Sequence, residues 1–224
     1  MKKILLIVIM LVTGLSANSL EENTKACDGG DMEVCYILGY WYDTGRGVKQ
    51  DQVKASEYFG KACDGGDGGG CYMLGNMYAK GEGVKKDSFK AVKLFTKACD
   101  GGDMYGCYDL ALKYNNGDGV RQDSVKAVKL YTKACDGSLM NGCFNLALMY
   151  DTGEGVKKDP FNAVKLYTKA CDGGKTSGCF NLANLYYKGY GVRQSHSKAK
   201  EYYGKACDGG HSNGCKNYAI LNKQ

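Results

Sequence analysis

The sequence predicts an all-α protein built as an array of stacked helical hairpins. Three observations support this prediction: the cysteines recur at a fixed interval, each interval holds two apolar stripes with helical spacing, and glycine-rich turns separate the stripes. In repeat proteins of this kind a single unit cannot bury its apolar stripe alone, so neighbouring units stack. We expect five complete units between Cys27 and Ala206, preceded by a half-helix and closed by one further helix.

The cysteines define the interval. They fall in two series that each step by 36 residues without an insertion or deletion. The first series is Cys27, Cys63, Cys99, Cys135, Cys171 and Cys207, and the second is Cys35, Cys71, Cys107, Cys143, Cys179 and Cys215. All copies therefore share one register, and each position of the unit can be compared from copy to copy.

The first helix of each unit, here called helix A, is predicted from its apolar spacing. In the third copy Cys107, Leu110, Ala111 and Tyr114 are spaced i, i+3, i+4 and i+7, which places them on one face of a helix. A G-x-G-V loop follows in five copies, for example at residues 81–84. Its glycines can end helix A and turn the chain.

The second helix, here called helix B, is predicted from its start signals. Asp87 and Asp123 precede it and can accept hydrogen bonds from the first amides, while Pro160 follows Asp159 at a position that suits the first helical residue. The buried stripe of this helix in the second copy consists of Ala91, Leu94, Phe95, Ala98 and Cys99.

The first residues have the three zones of a secretory signal peptide. Lys2 and Lys3 precede an apolar run from Ile4 to Val12, and small residues follow up to Ala17. The apolar run is shorter than the ~20 residues that span a bilayer. We therefore expect a signal peptide at 1–17, a repeat domain at 18–224 and a secreted or periplasmic protein, with no membrane attachment after cleavage.

The formal net charge of +6 is too small to indicate a nucleic-acid-binding protein, and we expect no nucleic-acid partner. The 12 cysteines suit an oxidising compartment. Two pairings respect the repeat: each cysteine bonds the one eight residues on, or Cys35 bonds Cys63 and so forward. The second pairing leaves Cys27 and Cys215 unpaired, so we predict six local disulfides. A structural zinc site normally needs four ligands, and the chain has 2 histidines, so we expect no metal and no cofactor.

The repeating pattern resembles a known family. A-x-x-Y-x-x-G-x-G-V and K-A-x-x-[YF]-x-x-K-A-C, carried by residues 147–156 and by Lys169, Ala170 and Cys171, resemble the Sel-one-like repeat. The added C-D-G-G-x-x-x-G-C is similar to the Helicobacter cysteine-rich protein family. The resemblance covers nearly all of the chain after residue 17, with Ser195 standing where other copies have the capping aspartate.

This resemblance implies a right-handed α/α superhelix, or solenoid, with a concave groove. It also implies export and binding of peptide or protein segments, including proteins of a host. Members of the family are commonly labelled beta-lactamases or penicillin-binding proteins, which implies beta-lactams or peptidoglycan fragments as alternative ligands.

The residues themselves give the enzymatic label little support. S-x-x-K, the nucleophile motif of serine beta-lactamases, occurs at Ser195–Lys198 and Ser197–Lys200, but S-D-N and K-T-G are absent. In a lysine-rich chain such a pair arises by chance. A weak beta-lactamase therefore stays open as the alternative function, with no catalytic residue assigned.

A binding surface is predicted where the copies differ most on one face of helix A. Asparagine recurs there although it is a poor residue for a helix interior, and carboxamides can both donate to and accept from a peptide backbone. A solvated polar face would look the same. The candidate binding residues are Asn145, Asn181, Asn184, Asn217, Tyr105 and Asp109. A lysine stripe on helix B, as at Lys90, Lys93 and Lys97, is interpreted as a solvated outer face.

Overall fold

The computed structural model describes residues 17–223, and the regular elements in this range are α-helices. The predicted signal peptide lies outside the described residues except for Ala17. The helices are α1 (Ala17–Asp28), α2 (Met32–Thr44), α3 (Gln52–Asp64), α4 (Gly68–Lys80), α5 (Ser88–Asp100), α6 (Met104–Asn116), α7 (Ser124–Asp136), α8 (Met140–Thr152), α9 (Pro160–Asp172), α10 (Thr176–Lys188), α11 (His196–Asp208) and α12 (Ser212–Leu221).

The chain divides into two compact units, with the boundary between residues 106 and 107. In the first unit, packing runs from α1 to α2, α3, α4 and α5 in turn. In the second unit, α7 packs on α8, and the chain of contacts continues to α12. Helix A corresponds to the even-numbered helices and helix B to the odd-numbered ones, which confirms the predicted all-α array of helical hairpins.

Each helix B after α1 begins at a capping side chain. Asp51, Asp87, Asp123 and Asp159 accept a hydrogen bond from the backbone N–H three residues on, at 2.9–3.1 Å. Ser195 does the same for α11 at 3.2 Å. These bonds satisfy amides that have no partner within the helix, and this explains why each helix B begins where it does.

The G-x-G-V loop needs glycine at both positions for different reasons. Gly81 ends α4 in the left-handed conformation, with φ of 84°. Gly83 also has positive φ, and a Cβ there would lie 2.0 Å from the carbonyl oxygen of Gln52 in the preceding helix B. Only a residue without a side chain permits this approach, so the loop of one copy fits against the start of the previous copy's helix B.

Aromatic pairs occupy the same place in successive copies. One ring comes from helix A and the other from the following helix B, with ring centroids 5.7–6.0 Å apart and tilted planes. The pairs are Tyr36–Phe59, Tyr72–Phe95, Tyr108–Tyr131, Phe144–Tyr167 and Phe180–Tyr203. The predicted aromatic positions are therefore part of the core, where such rings contribute more than their buried area alone.

The cysteines join the end of each helix B to the first turn of the next helix A. Bridges link Cys27–Cys35, Cys63–Cys71, Cys135–Cys143, Cys171–Cys179 and Cys207–Cys215. Cys99 and Cys107 are disulfide-bonded as well, so none of the 12 cysteines is free. Closing a nine-residue loop stabilises the folded state by about 2.5 kcal/mol in the chain-entropy view.

One of the turns that follow helix B has serine where the others have glycine. The second residue after helix B is a glycine with positive φ in five copies, but Ser138 occupies this position after α7 with φ of 65°. A left-handed conformation costs a residue with a side chain about 1–2 kcal/mol. Ser138 is thus a strained point in an otherwise regular turn.

Candidate binding surface

Three of the predicted asparagines hold equivalent positions. Asn145, Asn181 and Asn217 lie in the second turn of α8, α10 and α12 and are half-buried. Their side chains reach toward the preceding helix B and interact with the hydroxyls of Tyr131, Tyr167 and Tyr203 respectively.

Those tyrosines belong to the core. Tyr131, Tyr167 and Tyr203 are 0–3% exposed. Burial raises the pKa of Tyr131 and of Tyr167 to about 12, and it also raises the pKa of Tyr203, because an ionised phenolate would lose its hydration. In all three cases the neighbouring asparagine lowers the pKa of the tyrosine and so offsets part of the effect of burial. The carboxamides therefore provide the polar surroundings of an otherwise apolar site.

The pairing explains why asparagine recurs in this part of the sequence. Tyrosine on helix B is followed 14 residues later by asparagine in the last three copies. In the first two copies the helix B residue is Phe59 or Phe95, and the matching positions hold Met73 and Asp109. Sequence reasoning missed the tyrosine partners, although this joint change of two positions among the copies was the signal that could have identified them.

The hydrogen bonds differ from copy to copy. Asn145 donates through Nδ2 to the Tyr108 hydroxyl at 3.4 Å. The Tyr203 hydroxyl donates to Oδ1 of Asn184 at 2.5 Å, so this fourth predicted asparagine also contacts a buried tyrosine. The Tyr167 hydroxyl is close to Asn181, but no described atom meets the distance and angle of a hydrogen bond with it.

The two remaining predicted residues, Asp109 and Tyr105, differ in burial and in their contacts. Asp109 is half-buried on α6, and its negative charge contributes to the raised pKa values of Tyr108 and Tyr131. Tyr105 belongs to the first unit, is 55% exposed and packs its ring against Tyr72 with centroids 5.8 Å apart. The structure thus brings Asn145 and Asp109 near one pair of tyrosines, while Asn184 and Asn217 share Tyr203.

The charge at the start of helix A changes between the two units. In the first unit the capping residues are Asp31, Asp67 and Asp103, and burial raises the pKa of Asp103. The equivalent residues of the second unit are Leu139, Lys175 and His211, of which His211 caps α12 by accepting from the Gly214 amide at 3.2 Å. The helix A starts of the first unit therefore carry aspartate, whereas the equivalent positions of the second unit carry none.

The serines of the S-x-x-K pairs have structural positions. Ser195 Oγ accepts the Lys198 backbone amide as the cap of α11. The Lys198 ammonium lies 5.1 Å from the centre of the Tyr186 ring, and that of Lys200 lies 6.0 Å from the Tyr218 ring. The helix start and the cation–π contacts therefore account for Ser195, Lys198 and Lys200, whereas Ser197 is an exposed residue in the first turn of α11.

Residues 17–223 contain neither a metal-binding cluster nor a membrane span. No group of three or more histidine, cysteine, aspartate or glutamate residues in this range is arranged to hold a metal ion. No helix in it is long and apolar enough to cross a membrane.

The helical hairpins and their bridges define a class of protein: a repeat array in which disulfides join each hairpin to the next. The profile of the Sel1 repeat matches residues 33–67, 69–103, 105–139, 141–175 and 176–211. The chain belongs to the Sel1 repeat family. The 12 oxidised cysteines further indicate an oxidising compartment.

Solved structures agree with this assignment. The chain is 30% identical to c5321, a protective antigen of uropathogenic Escherichia coli strains with an SLR fold, over 91% of this chain and 44% of that one, with a TM-score of 0.87. This chain therefore spans less than half of c5321. A Sel1 repeat protein from Oxalobacter formigenes is 25% identical over 91% of this chain and 78% of that one, with a TM-score of 0.79.

A cysteine-rich protein also matches part of the chain. Helicobacter pylori cysteine rich protein B is 32% identical to this chain, and the match covers 58% of this chain and 98% of that one, with a TM-score of 0.46. A comparison with curated proteins gives no match.

Proposed function

We propose that this protein is an exported scaffold that binds peptide or protein segments on its helix A surface. Sel1 repeat proteins generally bind proteins, and the disulfides suit a scaffold that works outside the cytoplasm. The signal-like first 17 residues support export.

The observation that carries the proposal is the set of asparagines held against buried tyrosines. Asn184 accepts from Tyr203, and Asn145 donates to Tyr108, which limits the side-chain motion of both carboxamides. Each carboxamide has two donors and two acceptor lone pairs, so one bond to tyrosine leaves further groups for a ligand. These side chains have already lost part of their conformational entropy before a ligand binds. They therefore suit the recognition of an extended peptide backbone.

The test begins with selection of a binding peptide from a random displayed library, followed by calorimetric titration of that peptide. Asn181→Ala combined with Asn184→Ala should weaken binding by roughly three- to tenfold per lost hydrogen bond. Lys165→Ala, on the exposed face of α9, is the matched control and should bind like the parent.

Thermal melting separates a lost contact from a lost fold, because Asn184→Ala also removes the partner of Tyr203. If the selected peptide binds the folded double variant and the parent equally well, the helix A asparagines are not the binding surface.

A further inference from the structure

The second residue of helix B is apolar and exposed in four successive copies. Val53 is 56% exposed, Phe89 72%, Val125 55% and Phe161 68%. By contrast, Phe95 in the same helix as Phe89 is 1% exposed. Intramolecular packing does not explain these four side chains, which we name the helix B tips. The first unit carries Val53 and Phe89, and the second carries Val125 and Phe161.

Exposed lysines lie close in sequence to the two phenylalanine tips. In the first unit Lys85, Lys86 and Lys90 flank Phe89, and in the second Lys157 and Lys158 precede Phe161. The ammoniums of Lys90 and Lys158 lie 5.0 Å and 5.3 Å from the centres of the Tyr78 and Tyr190 rings. These contacts hold the two ammoniums over tyrosine rings.

The nearby carboxylates are mostly engaged. Asp87 and Asp159 are half-buried and accept amide hydrogen bonds at the helix starts. Glu82 lies 3.6 Å from the Lys80 ammonium, and Glu154 accepts a hydrogen bond from Ser124 at 3.0 Å. Each phenylalanine therefore combines a protruding apolar ring with two or three exposed lysines close in sequence, while the neighbouring carboxylates are held in hydrogen bonds or an ion pair.

We propose that the helix B tips of each unit, taken separately, form a peripheral contact with anionic lipid bilayers. Phe89 in the first unit and Phe161 in the second would each enter the boundary between head groups and acyl chains, and the lysines next to it in sequence would face lipid phosphates. Apolar and cationic side chains on one surface are typical of proteins that lie on a membrane without spanning it. This contact uses helix B, and it is independent of the peptide binding proposed for helix A.

A lipid surface fits these residues better than a protein pocket. Anchor residues of protein interfaces enter fitted, desolvated pockets. Here valine and phenylalanine alternate at equivalent positions, and a shaped pocket would distinguish their sizes. The acyl boundary of a bilayer accepts either side chain, because burial there depends on apolar area and not on shape.

From the sequence alone we expect no membrane attachment and interpret the lysines as solvated. That expectation rested on the absence of a spanning segment, which a peripheral contact does not need. The predicted buried stripe of this helix B includes Phe95 and leaves out Phe89, but spacing within one helix does not show whether a neighbouring copy covers Phe89. Their different exposure is visible only in the structure.

The experiment uses the oxidised chain from residue 18 onward, which contains all the described helices apart from Ala17. Co-sedimentation is measured with phosphatidylcholine vesicles and with vesicles that carry roughly 30% phosphatidylglycerol, the anionic lipid that attracts lysine. We expect binding to the anionic vesicles only, and we expect it to be largely lost when salt rises from about 0.05 to 0.5 M, since the Debye length shortens.

The decisive variant is Phe89→Ser combined with Phe161→Ser. The fifth copy already has Ser197 at this position, so the fold accepts serine there. The partition coefficient for anionic vesicles should fall at least about tenfold, because two apolar side chains no longer enter the lipid. Ile220→Ser removes a side chain of similar exposure, 57%, from helix A and should change nothing.

Three results would overturn the proposal: no binding to either vesicle, equal binding to both, or binding that survives the two phenylalanine substitutions. In the last case Lys85→Gln with Lys86→Gln would show whether charge alone holds the chain, as it would for any polyanion. Capture of a protein partner through the tips, without vesicle binding, would likewise replace the lipid with a protein.

Discussion

Single residues show how a repeat unit tolerates change when a second position changes with it. Where helix B carries phenylalanine, the small residue opposite is glycine: a Cβ at Gly39 would lie 2.6 Å from the Phe59 ring. Where helix B carries Tyr131 or Tyr167, the position of the glycine is taken by Ala111 or Ala147 respectively. An asparagine then lies 14 residues after the tyrosine. The core therefore depends on matched sets of residues more than on single ones.

A pair of tyrosine substitutions tests this interpretation. Tyr167→Phe removes a buried hydroxyl for which no described residue provides a hydrogen bond, and it should change the free energy of unfolding by less than about 0.5 kcal/mol or stabilise the fold. Tyr203→Phe removes a donor that bonds Asn184 at 2.5 Å, and it should destabilise by about 0.5–1.5 kcal/mol. Urea unfolding at neutral pH measures both. Equal effects would show that the hydroxyls are not distinguished by their partners.

The sequence predicted the helix B position of Phe95 as part of the core, but it did not predict the hydrogen bonds of the tyrosines that hold this position in later copies. Spacing identified the apolar stripes, because burial of one helix face requires the 3.6-residue period. The hydrogen-bond partners of the tyrosine hydroxyls were missed because each bond joins residues on two helices. The spacing of residues within one helix does not show which residues of another helix lie nearby. For the same reason Asn145 looked like a solvent-facing side chain until its contact with Tyr108 was visible.

At the scale of helices, caps and bridges decide where each element begins and how it joins the next. The sequence predicted the caps at Asp87 and Asp123 correctly, because a side-chain oxygen before an apolar run is a local signal. The disulfides were predictable for the same reason, because each joins cysteines that are only eight residues apart, as in Cys63–Cys71. Exposure of Phe89 depends on what neighbouring copies cover, and it could not be predicted locally.

Ser195 offers a test of cap against nucleophile. Ser195→Asp restores the residue that caps the other copies and removes the hydroxyl, so stability should be maintained or increase slightly. Ser195→Ala removes the cap of α11 and should destabilise by about 1 kcal/mol. Neither change should alter hydrolysis of a chromogenic cephalosporin from the level of the parent chain. Measurable turnover in the parent that both variants lose would assign Ser195 a catalytic role.

At the scale of the whole molecule, buried phenols make stability depend on alkaline pH. The pKa of Tyr131 and of Tyr167 is about 12 in the folded chain, because burial disfavours the phenolate, against about 10 in an unfolded chain. Above pH 10 the unfolded state therefore releases protons that the folded state retains. The free energy of unfolding should be constant up to about pH 9 and should fall as pH rises from 10 toward 12. Lys61 and Lys205, whose pKa values are raised chiefly by hydrogen bonds to Asp28 and Glu201, contribute a loss in the same direction.

The test compares urea unfolding of the parent with Tyr131→Phe combined with Tyr167→Phe, using short incubations at a series of pH values. Phenylalanine does not ionise, so the double variant should lose less stability between pH 10 and 12 than the parent, although the lysine contribution remains. Tyr105→Phe, which changes a 55% exposed tyrosine, is the control and should follow the parent curve. Parallel curves for parent and double variant would contradict the assignment, because they would mean that these two phenols ionise alike in the folded and unfolded chains.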